Sequence, residues 1–365
     1  MRIARSMTCV ALVAAMLAGP GGPVALAGAT IHATRVAGGL TQPVAFTFTP
    51  NGRIFYVEKS TGWIRVFNPT TNSDHRFYQV SHVNDDGERG MLGVALHPNY
   101  PTKPYVYVYV TRNVSGDLKN QILRITNDGG SGSRRLVIFS APASSSPYHN
   151  GGRILFGPDG LLYAIVGDGH DASNAQDLTN NNRGKIIRLT PNGGVPPTNP
   201  FGNEIFAFGI RNGFGLAFDP ETDGAWETDN GPECNDEINK IDKGDNYAWG
   251  PSETCSGTSP DDTNQDGPDP KRLPKLWFES TIGITGAAFC ESCNLNPASE
   301  GGLFFGDVNT GTVRRVDLTA PRDDLDGSTL TIVYSHSDSV LSMEVGSGGS
   351  IYFSDFSGIW RLVFS

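Results

Sequence analysis

The sequence predicts an all-β fold, a six-bladed β-propeller of four-stranded antiparallel blades, on three observations. One hairpin module recurs six times, turn residues are spread along the whole chain, and no segment carries a long apolar period of 3.6 with good caps. The 45 glycines and 24 prolines fall in turn-like clusters from end to end, so helix is expected to be scarce.

Each module is an apolar strand, a turn rich in Pro, Asn, Asp and Gly, an aromatic-rich strand, then a polar step and a third strand. The first three are PVAFTFTPNGRIFYVEKSTGWIRVF from Pro43, MLGVALHPNYPTKPYVYVYVTR from Met91 and GGRILFGPDGLLYAIVGDG from Gly151. The fourth is GFGLAFDPETDGAWETDNG from Gly213, and the fifth joins ITGAAF from Ile284 to GGLFFGDVNTGTVRRVDL. The sixth is VLSMEVGSGGSIYFSDFSGIWRLVF from Val340. One such sheet cannot bury both of its faces, whereas sheets stacked around an axis cover one another. A spacing of roughly 40 to 70 residues suits blades of about four strands with loops of unequal length. The last strand, Gly358 to Phe364, is expected to share a blade with residues Ile31 to Val36, closing the ring and removing exposed edges. A two-sheet sandwich is the alternative. Two stretches interrupt the repeat as inserts, residues 168 to 210 and 250 to 283, and loops held by rigid blades are where chemistry is expected.

At the N-terminus, Arg2 and Arg5 precede an apolar run from Met7 to Ala18, and Ala25-Leu26-Ala27 offers small residues for cleavage. Residues 1–27 therefore read as a signal peptide and 28–365 as a single propeller domain, secreted or periplasmic. The run is short for a membrane span and is followed by Gly19, Pro20 and Pro23; a retained anchor is the alternative. No later segment is long and apolar enough to cross a bilayer. Removing the leader takes away two arginines and no acids, so the formal charge of -10 becomes -12, which argues against nucleic acid as a partner. Cys9 leaves with it. Cys234, Cys255, Cys290 and Cys293 remain, and an even count in an exported chain reads as two disulfides with three possible pairings. Proximity favours Cys234 with Cys255 and Cys290 with Cys293; a four-cysteine zinc site is the rival.

Four motifs occur in order: GERGMLGVALHP around Glu88, YHNGGRILFGPDG around His149, FGIRNGFGLAF around Arg211, and DNGPECNDEINKIDKGDNYAWG around Gly231. With this ordered set the chain resembles the glucose and sorbosone dehydrogenases, the soluble quinoprotein aldose dehydrogenases, from about Ala37 to Leu362. The resemblance implies a sugar as substrate, an electron acceptor as partner, and pyrroloquinoline quinone (PQQ) with Ca2+ as cofactors. Oxidising a sugar hemiacetal needs a base for the hydroxyl proton while hydride leaves carbon, and imidazole suits that task. His149 is the expected base; packing against Gly151 and Gly152 as a structural hydrogen bonder is its other reading. Arg211 is expected to hold the quinone oxygens and stabilise negative charge, with Asn212 a secondary contact, against a plain surface ion pair. The resemblance makes the backbone carbonyls of Gly231 and Pro232 the calcium ligands, against an ordinary β-turn. It also brings Asp236 close to the cofactor, with Glu88, Gln176 and Thr281 as further polar contacts.

The chain departs from the family pattern in three places. The fifth-blade turn Asp307-Val308-Asn309-Thr310-Gly311 lacks the basic residue that relatives place beside the cofactor, and Arg314, Arg315 and Lys275 are candidate substitutes. Glu88 stands where a glutamine is often found, and Phe214 replaces a polar residue. A second calcium candidate is Asp262-Thr-Asn264-Gln-Asp266-Gly267, which alternates oxygen side chains as EF-hand loops do. Its twelfth position is Leu273, which cannot ligate, so a solvated Asx-rich turn is the alternative. No GxSxG, HExxH or Walker motif is present. A calcium-dependent lactonase and a non-catalytic binding platform remain as rival functions.

Overall fold

The computed structural model describes residues 30–179, 181–251, 255 and 270–365. The expected signal peptide, residues 1–27, and the calcium candidates Asp262, Asn264 and Asp266 lie outside the described residues. From Ile31 to Ser365 the chain is one compact unit. It forms six four-stranded antiparallel sheets, each built from strands in sequence order except the last. The first blade comprises Pro43–Phe48, Ile54–Glu58, Trp63–Asn68 and Ser73–Gln79. The other blades begin at the axis with Met91–Leu96, Ile154–Phe156, Gly213–Phe218, Ile284–Phe289 and Ser342–Val345. These inner strands touch in a closed ring, the sixth returning to the first. The only helical segments among the described residues are two 3-10 turns, Ala172–Gln176 and Pro297–Ser299.

The strands form because period-two alternation gives each one two apolar faces, and each face packs against a different blade. In Leu162–Val166, Leu162, Ala164 and Val166 join a cluster with Tyr107, Tyr109 and Ile122 of the second blade. Tyr163 and Ile165 turn to Leu216, Ala225 and Ile241 of the fourth. The pattern repeats around the ring, so burial is shared between neighbours. Near the axis the inner strands crowd one another, and glycine relieves it. A Cβ on Gly93 would sit 2.2 Å from the Gly152 carbonyl, and one on Gly286 would sit 2.3 Å from the Met343 nitrogen.

Ring closure follows the expectation: Ile31–Gly38 pairs antiparallel with Gly358–Phe364, from Ile31 opposite Phe364 to Gly38 opposite Gly358. The inserts differ from the sequence reading. Residues 168 to 210 contain Lys185–Leu189 and Ile205–Phe208, the third and fourth strands of the third blade. Residues 250 to 283 include Leu276–Phe278, the outer strand of the fourth. Both cysteine pairs are oxidised as proximity suggested, Cys234 with Cys255 and Cys290 with Cys293, which removes the zinc reading. Among the described residues no helix is long and apolar enough to cross a membrane.

Candidate functional site

Every inner strand runs the same way along the axis, so the residues preceding the six strands gather at one mouth of the ring. Gln42, Glu88, His149, Arg211, Thr281 and Leu341 come from six successive loops and all line one cavity of about 570 Å3. The ring of inner strands fixes where these loops start, and loop chemistry fixes what they present.

His149 is buried and sits in the left-handed region, φ 57°, a conformation held by its neighbours. Its N–H donates to Glu88 Oε2 at 2.8 Å, and its carbonyl accepts from Gly169 N–H at 3.0 Å. Its Nδ1 lies 2.7 Å from Asp168 Oδ1, which also accepts the His170 N–H at 2.7 Å. Asp168 Oδ2 accepts from the Trp249 indole at 2.8 Å. In the neutral imidazole an acceptor-only carboxylate places the proton on Nδ1, and Nε2 is then a lone pair with no described protein partner. The His170 ring meets His149 edge-on, with centroids 4.8 Å apart.

Glu88 points inward and ties three blades: besides His149 it accepts from Asn212 Nδ2 at 3.0 Å. Arg211 and Asn212 are held by Asp229, whose two oxygens accept their backbone N–H groups at 2.7 and 2.6 Å. Burial pushes the Asp229 carboxyl up to about 6, opposed by those donors. The Arg211 guanidinium donates to Asn230 O at 2.8 Å and lies 5.2 Å over the Trp249 ring. Burial pushes it down, yet a guanidinium remains charged at any physiological pH. Its Nε is buried without a hydrogen-bond partner among the described residues.

Asp236 is a clamp rather than an open ligand. Its Oδ1 accepts the Gly231 N–H at 2.9 Å, and its Oδ2 accepts those of Ile282, Gly283 and Ile284 at 2.8, 2.7 and 3.2 Å. Burial pushes its carboxyl up, and the four backbone donors oppose that shift. It joins the Gly231-Pro232 turn to the loop bearing Thr281. Gly231 has no room for a side chain, since a Cβ would lie 1.8 Å from Cys234 O. Gly231 and Pro232 line the cavity, and their carbonyls accept no hydrogen bond from the described residues.

Gln176 is not brought into the cavity lining, and its amide donates to Asn246 Oδ1 at 2.9 Å and Trp249 O at 2.6 Å. The expected substitutes for the missing base are also spent elsewhere. Arg314 pairs with Asp307, Arg315 with Asp317 and Lys275 with Asp324, and none lines the cavity. The cations that do are Arg211, Lys59 and Arg153. Sequence reasoning missed the last two, together with Asp168 and Trp249, which act through His149 and Arg211. Lys59 Nζ donates to Asp85 O at 3.0 Å. Arg153 crosses the channel to Ser342 Oγ at 2.8 Å, Met343 O at 3.0 Å and Glu344 Oε1 at 3.3 Å. Its own motif, HNGGR, was the available signal. Leu92, Phe214, Val308, Leu341 and Phe356 supply an apolar wall.

The family model described as glucose/sorbosone dehydrogenase matches residues 40–357. The chain belongs to that family. Within the glucose/sorbosone dehydrogenases it is similar to quinoprotein glucose dehydrogenase B of Acinetobacter calcoaceticus, 34% identical over 241 residues, covering 58% of this chain and 50% of that protein. The match thus spans about half the length of that relative. The aldose sugar dehydrogenase of Escherichia coli is 26% identical over 344 residues, covering 89% of this chain and 90% of that one. Among solved structures, the PQQ-bound aldose sugar dehydrogenase of Streptomyces coelicolor superposes with a TM-score of 0.77 at 26% identity, covering 93% of this chain and 99% of that one.

Proposed function

We propose that this chain is an exported sugar dehydrogenase that oxidises the C1 hydroxyl of an aldose to the lactone, with PQQ and Ca2+ as cofactors and an external electron acceptor. The observation that carries the proposal is the His149–Asp168 pair at 2.7 Å, which leaves Nε2 open beside a cavity also lined by Arg211 and by Gly231 and Pro232.

The donor set suits the implied cofactors. A quinone with three carboxylates needs cations, and the orphaned Nε of Arg211 and the ammonium of Lys59 are on hand. The carbonyls of Gly231 and Pro232, unengaged among the described residues, are hard oxygens of the kind calcium takes. Calcium commonly has six to eight such ligands, so water and cofactor would complete the set. When bound, the quinone supplies the hydride acceptor and calcium polarises it.

The protein's share follows from its own groups. His149 Nε2 takes the hydroxyl proton, and Asp168 holds Nδ1–H and steadies the imidazolium that results. Arg211 offers a fixed positive charge that costs no reorganisation as negative charge builds nearby. Glu88 keeps the His149 backbone in its left-handed conformation and thereby aims the ring. Leu92, Phe214 and Phe356 exclude water from the wall and give a sugar ring an apolar surface. Export is supported by the two disulfides, which persist in oxidising compartments.

The test is titration of purified apoprotein with PQQ, with and without calcium, followed by absorbance and by dye-linked sugar oxidation. Calcium-dependent uptake with activity is the expected result. Lactone hydrolysis without quinone would replace the proposal with a lactonase, and neither uptake nor hydrolysis would leave a binding platform.

A further inference from the structure

Lys59 lines the cavity and pairs with no carboxylate among the described residues. It follows Ile54–Glu58 at the seam between the first two blades, where its backbone is locked. Its N–H donates to Gln42 O at 3.1 Å, and its carbonyl accepts the Met91 N–H at 2.9 Å. Gly90, at φ 131°, packs so closely that a Cβ there would lie 2.5 Å from the Lys59 carbonyl. The backbone that carries this side chain is therefore fixed; Lys59 lines the cavity, and its ammonium has a single described acceptor, the Asp85 carbonyl. Burial pushes this ammonium down, opposed by the fields of Asp85, Asp86 and Glu88. None of the three forms an ion pair with it. Asp85 and Asp86 are exposed to solvent, and Glu88 Oε2 is engaged by His149 and Asn212.

The other cavity cations differ in kind. Arg153 already faces Glu344 Oε1 at 3.3 Å. Arg211 has no carboxylate on its guanidinium, which donates to a carbonyl and stacks on an indole. Lys59 and Arg211 are thus two uncompensated charges on one cavity, brought from the first and fourth blades. A half-buried ammonium with spare donors and no counter-ion is stabilised most by an anion that can accept hydrogen bonds.

We infer that Lys59 is a carboxylate-binding residue of this cavity, receiving a carboxylate of the bound cofactor or of an acidic sugar. The inference rests on the dehydrogenase reading for the identity of its ligand and on the cavity charges for its chemistry.

The experiment compares wild type, Lys59→Met and Lys59→Arg, with melting curves confirming that all three fold. PQQ is titrated in the absence of sugar and followed by absorbance and tryptophan fluorescence. Losing one charge-assisted hydrogen bond is expected to weaken quinone binding roughly tenfold to a hundredfold in Lys59→Met, with recovery in Lys59→Arg. Equal quinone binding, together with loss of a KM advantage for a uronate over the neutral aldose, assigns the carboxylate to the substrate and sustains the inference. Equal quinone binding with unchanged KM values overturns it while the dehydrogenase reading stands. Should wild type take up no quinone, that reading fails, and citrate becomes the probe. A citrate-induced rise in Tm present in wild type and absent in Lys59→Met sustains the carboxylate site; the same response in both proteins, or none in either, overturns it.

Discussion

In the proposed reaction Asp168 decides which nitrogen of His149 acts as the base, and Arg211, over the Trp249 ring, performs a separate task. Substituting the two should therefore produce different failures. His149→Gln keeps much of the local packing and removes the proton acceptor, so it should hold quinone normally while turnover falls roughly 10²-fold or more. Arg211→Ala removes charge from the cavity and should be poorly loaded even with calcium in excess. Parallel measurement of quinone content and turnover checks both, and a His149→Gln variant matching wild-type turnover removes the base assignment. A second residue-scale prediction concerns Glu227, which is fully buried opposite Asn239 with Oε1 unpartnered. Burial holds its carboxyl well above the usual range, and the neighbouring Asp229 adds to the shift. The folded state thus keeps a proton that the unfolded chain loses above about pH 4.3. Because the folded state binds more protons in that window, this group's contribution to stability falls as pH rises from there through its folded pKa. Glu227→Gln should cancel that slope, so its stability gain over wild type should be larger at pH 8 than at pH 5 in denaturant melts.

Elements set how the site is held. Asp236, at the start of Asp236–Ile241, gathers four backbone N–H groups from two loops, which lets one strand end fix both the Gly231-Pro232 turn and the Thr281 loop. Asp236→Ala leaves those donors without their acceptor and should cost about 2–4 kcal/mol. Denaturant melts measure the loss, and the calcium concentration for half-maximal reconstitution should rise with it. A variant as stable as wild type would mean that water replaces the clamp without cost. At this scale the sequence is readable where alternation is long, as in Tyr105–Val114, and silent where a strand is brief. Leu276–Phe278 has three residues and Lys185–Leu189 five, too few for a period to emerge beside their long turns. The site divides similarly. Glu88, His149, Arg211 and Thr281 stand in motifs or polar loops that announce chemistry, whereas Lys59 resembles any solvated lysine after a strand. Asp168 and Trp249 act through other side chains, and only three-dimensional neighbours reveal that. Gln176 stands outside the cavity lining, its amide serving Asn246 and Trp249, which sequence alone does not reveal.

At the scale of the whole molecule, stability depends on closing the ring. Each apolar cluster belongs to two blades, so opening one seam exposes surface on both sides of it. The closing strand is Ile31–Gly38, whose Ala37 packs with Phe46, Ile54 and Ile359 where the last blade meets the first. Its partner Gly358–Phe364 would otherwise be an unpaired edge, open to pairing with another chain. Deleting residues 1–38 removes that ladder along with the burial of Ile31, Ala33, Val36 and Ala37, whereas deleting residues 1–27 leaves both. A fully buried large apolar side chain contributes roughly 1.5–3 kcal/mol, and of these four Ile31, Ala33 and Val36 are only partly covered while the buried Ala37 is small. Burial alone therefore predicts a loss of a few kcal/mol, with the lost ladder adding to it. The shorter deletion should unfold in a single β-type transition by circular dichroism at the wild-type midpoint. The longer one should unfold at lower denaturant and scatter light as it does so, because its free edge pairs between molecules. If the longer deletion stays monomeric and keeps its midpoint, the N-terminal strand is not what holds the ring closed, and stability must come from the other five seams.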